Sequence, residues 1–172
     1  MPFDVLELHR TFARYNAWMN QKLLDSCSVL RDDARKKPLS IPFDSLHGLW
    51  NHLLVTDQVW LSRFEGTPLP FEFRGLSMEL FADWDELQSA RTVLDQRIRD
   101  FAGGLSEERL NSVLKWQPAT LKEAQEMPFW IPLAHFWNHQ THHRGQITCA
   151  MELLGSDCGV TDLLRLPDLL SS

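Results

Sequence analysis

Four stretches of this chain read as helices with their own start or stop signals, and that recurrence constrains the fold more than any other feature. In the first, Asp4 followed by Glu7 has capping-box spacing. Val5, Leu8, Phe12, Tyr15, Met19 and Leu23 then recur at three- and four-residue steps, predicting a helix over Val5 to Ser28 with that row facing inward. A second helical pattern runs from about Ser45 to Glu65 and meets a stop at Gly66 and Pro68. Asp83 and Glu86 repeat the capping spacing and open a third helix that ends at Gly103 and Gly104. The fourth, IPLAHFWNHQTHHRGQITCAMELLG, places Pro132 in the first turn and runs about six turns to Gly155. RDDARKKPLSIPFD and TPLPFEFRGL read as loops, the second packed over the helices, and SVLKW with EAQEMPF as a short hairpin or an ordered loop. The expected fold is all-α, a four-helix bundle whose core can host ligands from facing helices. A length of 172 residues suits a single domain spanning residues 1–172.

A formal charge of −6 removes the attraction on which non-specific nucleic-acid binding depends, so DNA and RNA are not expected partners. The charged N-terminal segment reads neither as a signal peptide nor as a membrane anchor, which makes the cytoplasm the expected location and a membrane no partner. Cys27, Cys149 and Cys158 are odd in number and lack CxxC spacing, as suits reduced structural thiols. No phosphate-cradling glycine loop, nucleophile elbow or carboxylate-rich two-metal motif is present.

Chemistry concentrates in the histidines. His135, His139 and His143 stand four residues apart on the last helix, where each step turns about 40° and climbs about 6 Å. Neighbouring members can share an ion, whereas the outer two are about 12 Å apart along the axis. His142, three residues after His139, is nearly as good a partner, so spacing alone leaves several pairs open. Most helical histidines are ordinary surface or core residues, but this helix is otherwise rich in core side chains, and burying several imidazoles without a use is costly. Neutral imidazoles suit zinc, nickel, copper or iron, and the ligand count does not choose among them; one divalent ion is expected, and a site completed from another helix leaves room for water or substrate.

The segments YNAWMNQKLLDSC, LWNHLLVTDQVWLSRFEG and HFWNHQTHHRGQ resemble those of the DinB/YfiT-like family across nearly the whole chain. The resemblance implies that family's four-helix fold and its site of one histidine on the second helix with an HxxxH pair on the fourth. Carried over by motif, these are His52, His139 and His143, with His142 a bystander and His47 facing elsewhere. It also makes a homodimer the expectation, and its members include thiol-dependent transferases and isomerases, which would bring a small-molecule substrate and a low-molecular-weight thiol, alongside many proteins with no assigned reaction.

Asn51 and Asn138 precede proposed ligands, and His135, His142 and Arg144 flank the pair, so each is a candidate to orient an imidazole or touch substrate. Tyr15, Asn16 and Asn20 join them if the first helix turns its assigned face inward. The seven tryptophans read as core or dimer contacts. Two functions compete: a metal-dependent enzyme, and a non-catalytic, stress-related bundle that metal merely stabilises.

Overall fold

Asp4 opens the first helix by accepting a 2.8 Å hydrogen bond from the Leu6 amide, while Glu7 turns outward to Arg14 instead of closing a capping box. In the computed structural model, which describes residues 4–118 and 123–170, four long helices follow from such signals. They are α1 (Val5–Ser28), α2 (Leu46–Glu65), α3 (Trp84–Gly103) and α4 (Trp130–Leu153). Ser45 caps α2 through the Gly48 amide, and Asp83 caps α3 through the amides of Asp85 and Glu86. Gly66 ends α2 at φ 68°, a left-handed conformation that a side chain would strain. The fourth helix starts a residue before the expected segment, and Pro132 falls in its first turn, where the missing N–H has no intrahelical acceptor.

Helix α1 packs on α3, α3 on α2, α2 on α4 and α4 back on α1, the closed ring of a four-helix bundle. Of the two alternatives for this stretch, hairpin or ordered loop, the hairpin is the one present, as β1 (Val113–Trp116) antiparallel to β2 (Gln125–Pro128), with Trp116 opposite Gln125. Short helical turns at Asp32–Arg35, Glu107–Leu110, Leu163–Arg165 and Pro167–Leu170 punctuate the connections. Among the described residues no helix is long and apolar enough to cross a membrane.

Two apolar clusters fill the ring, one around Leu61, Phe64, Ile98, Phe129 and Phe136, the other around Met19, Leu23, Trp50, Leu87 and Ile147. Asn16, Arg91, Gln140 and Arg144 fall between the clusters along their own helices, so a polar layer crosses the middle of the bundle. Arg91 spans it, with one guanidinium nitrogen 2.7 Å from Asp57 and another 2.7 Å from Asp95, all buried.

This layer corrects the expected inner face of α1. Met19 and Leu23 are buried, but Leu8 is exposed and Val5, Phe12 and Tyr15 are half-buried, while His9, Ala13, Asn16 and Asn20 face inward. Apolar periodicity misleads here because the partner across the ring is a carboxylate: Asn16 and Asn20 donate to Asp95 at 3.0 and 2.9 Å.

Candidate metal centre

At the level of the polar layer, α2 and α4 bring three imidazoles together. The four-residue step from His139 to His143 stacks both on one face of α4, and His52 meets them from α2. His143 Nε2 lies 3.1 Å from His52 Nε2 and 3.1 Å from His139 Nε2, and the three ligand atoms fall within 4.8 Å of one another.

The outer nitrogens fix what the inner ones can do. His52 Nδ1 is 2.8 Å from the Leu76 carbonyl oxygen, which only accepts, so Nδ1 carries the proton and Nε2 the lone pair. His143 Nδ1 donates in the same way to Gln146 Oε1 at 2.8 Å, and the Gln146 amide nitrogen faces His142 Nε2 at 3.1 Å. Two lone-pair nitrogens at 3.1 Å cannot hydrogen-bond to each other. A tetrahedral ion about 2.0–2.1 Å from each nitrogen sets neighbouring nitrogens about 3.3 Å apart, so the donor set fits a divalent cation.

Electrostatics agree. Burial, with the neighbouring histidines adding to it, lowers His139 to about 3 and His143 to about 4, and burial also lowers His52 against the Leu76 hydrogen bond. The protonated forms are suppressed, and neutral imidazole is the form that binds metal.

Two loops buttress His52. Phe43 stacks on its ring with centroids 3.7 Å apart, although its backbone sits at φ 62°, an unusual conformation for an aromatic residue. Gly48 permits this, since a Cβ there would lie 2.1 Å from the Phe43 carbonyl oxygen. The loop that carries Leu76 is pinned by Asn51, whose Oδ1 accepts from the amides of Leu80 and Phe81 at 2.8 and 2.9 Å. Asn51 therefore holds the loop that orients His52 and does not itself touch an imidazole. Neither Phe43 nor Leu76 carried a sequence signal, but Gln146, three residues beyond His143, lies on the same helix face and was findable by spacing.

The remaining candidates divide. His142 sits outside the cluster and braces Gln146, while exposed Asn138 is not among the groups facing the three rings. His135 packs against His139 with ring centroids 5.6 Å apart. Arg144 donates to Asn16 and lies over the Tyr15 ring, Tyr15 donates to the Thr161 carbonyl, and Asn20 binds Asp95, so these four belong to the bundle's interior framework. His47 reaches the Phe81 carbonyl at 2.9 Å, away from the cluster.

Beside His139 and His135 opens a cavity of about 830 Å³, walled by Trp60, Leu69, Phe73, Leu76 and Trp116. Its volume suits a small molecule.

The sequence model of the DinB family matches residues 1–170. Protein DinB of Bacillus subtilis (strain 168) is 25% identical over 158 residues, covering 86% of this chain and 87% of that one. A crystal structure of a DinB-like protein from Bacillus cereus ATCC 10987 superimposes with a TM-score of 0.63 at 22% identity, covering 85% of this chain and 90% of the other, a likeness of fold.

Proposed function

The chain belongs to the DinB family, and from that premise we propose that it is a metal-dependent enzyme acting on a small molecule, by thiol transfer or isomerisation, with nickel or zinc held by His52, His139 and His143. The observation that carries this reading is the convergence of the three imidazoles beside a cavity, on a wall shared with His139. An ion held by these three histidines would supply Lewis acidity, able to lower the pKa of a water or thiol or to polarise a carbonyl.

The protein's own groups do the rest. Leu76 and Gln146 keep the lone pairs aimed inward, Phe43 shields one face of His52, and the indoles of Trp60 and Trp116 keep water from part of the cavity. His135, which burial holds below its usual pKa, lines the cavity as a neutral base able to take a proton from a bound substrate. Cys27 is no nucleophile, since burial pushes its thiol up to about 12, and the reactive thiol of this reading is that of a separate small molecule.

A second reading has one observation in its favour: the cluster ties α2 to α4, so an ion there would staple the bundle without turnover. Assays pairing low-molecular-weight thiols with electrophiles, run on metal-loaded and chelator-stripped protein, separate the two. Turnover that disappears on stripping and returns with added nickel or zinc supports the enzyme; a metal-loaded protein inert across the panel, yet unfolded by chelation, supports the staple. In keeping with the family reading, the protein is proposed to act as a homodimer, without nucleic-acid or membrane partners.

A further inference from the structure

The cavity next to the three histidines has a charge pattern unlike the rest of the chain. Of the 23 acidic residues in a protein of net charge −6, none of those described lines it, whereas Arg63 and Lys115 do. Lys115 is already paired with Glu126 at 2.8 Å. Arg63 has no carboxylate within salt-bridge distance among the described residues; its guanidinium is half-buried and lies 4.7 Å from the Trp60 ring centroid. A partly desolvated, uncompensated guanidinium in a cavity is a receptor for an anion, and its planar fork matches a carboxylate.

The helix sets the length of what would reach it. His52, Thr56, Val59 and Arg63 follow at steps of four, three and four, so they share one face of α2, and 11 residues at 1.5 Å each separate the first from the last by about 16 Å. Along that line the walls are flat and apolar. His139 contacts His135, His135 meets the edge of Trp60 at 5.3 Å between centroids, and Trp60 meets Trp116 at 5.7 Å. Leu69 and Phe73 close the cavity from the loop after α2. The hairpin thus contributes a wall of the site through Trp116.

Resting on the reading of the histidines as a metal site, we infer that this cavity takes an elongated small molecule with a flat unsaturated body lying against the wall that Trp60 and Trp116 form together, and that Arg63 binds a carboxylate at its end remote from the metal. Arg63 is then a determinant of specificity, remote from the reacting atoms. A neutral analogue of the same shape forfeits the ion pair and its hydrogen bonds, a difference of about tenfold or more in affinity.

Calorimetric titration of the metal-loaded protein with biphenyl-4-carboxylate and with biphenyl-4-carboxamide tests this, using the parent, Arg63→Gln, Arg63→Lys and His139→Ala, with metal content read separately in each. The expected result is a preference of about tenfold for the carboxylate in the parent, lost in Arg63→Gln, partly kept in Arg63→Lys, and retained in His139→Ala. Equal affinity for the two probes, no binding of either, a preference that survives Arg63→Gln, or one that disappears only in His139→Ala would overturn it. Should the parent itself hold no metal, a preference that depends on Arg63 would uphold the carboxylate site while refuting the metal reading.

Discussion

Gln146 is the side chain whose role is clearest from its hydrogen bonds. It presents its carbonyl oxygen to His143 Nδ1 and its amide nitrogen to His142, so one residue fixes both the tautomer and the ring plane of His143. Loss of such an orienting group typically weakens a metal site about 10- to 100-fold. Gln146→Ala should lower metal affinity by that order in a chelator-competition titration while the helix content by circular dichroism stays that of the parent; unchanged affinity would show that the hydrogen bond does not matter. His139 and His143 were within reach of the sequence, because helical spacing brings them together, whereas His52 came only with the family motif. Spacing could not choose between His142 and His143, nor between His135 and His143, since all lie within one turn or so of His139. The family motif chose; in the structure His143 is buried and aimed at His52, whereas His142 is exposed. Phe43, Leu76 and Asn51 act through a backbone conformation, a carbonyl and a loop clamp, none of which leaves a pattern in one sequence.

The four long helices were legible because each carries its cap or stop in its own residues, with Asp4, Ser45 and Asp83 all accepting amide hydrogen bonds at the first turns. What the helices turn toward each other was less so. The rows that apolar periodicity selects on α1 are rotated from the buried ones because Asn16 and Asn20 answer to Asp95, a partner on α3 that local sequence cannot reveal. The same layer binds α2 to α3 through Arg91, whose two carboxylate partners are both buried. Burial raises Asp57 to about 6 against the pull of Arg91, and Gln140 of α4 adds a 3.1 Å hydrogen bond to it. Removing one member of a buried ion network leaves an uncompensated charge and costs about 3–5 kcal/mol. Arg91→Ala is expected to lose that much in urea unfolding of the metal-free protein, and a loss below about 1 kcal/mol would mean that the layer is not an interhelical tie.

For the molecule as a whole, the histidine cluster couples stability to protons and, on the proposed reading, to metal. His139 and His143 stay neutral in the folded chain down to about 3 and about 4, but in the unfolded chain they take up protons near the usual value of about 6.5. Between those limits the unfolded state binds more protons, so the unfolding free energy of the metal-free protein falls as pH is lowered from about 6.5 toward about 4. Asp57 works in the opposite sense, because its folded pKa is raised, so the cluster's share is best read by difference. The parent should lose more stability between pH 7 and pH 5 than the double variant His139→Gln with His143→Gln; parallel losses would contradict the assignment. An ion that binds only the folded state adds its binding free energy to stability and removes this acid sensitivity for as long as it stays bound. The proposed function depends on one claim, that His52, His139 and His143 together hold a single divalent ion. Elemental analysis of protein purified without an affinity tag, set beside His52→Ala, His139→Ala and His143→Ala, tests it most directly. Nearly one equivalent of nickel or zinc is expected in the parent and is lost in all three variants; no metal in the parent, or metal retained in any of the three, would overturn the assignment.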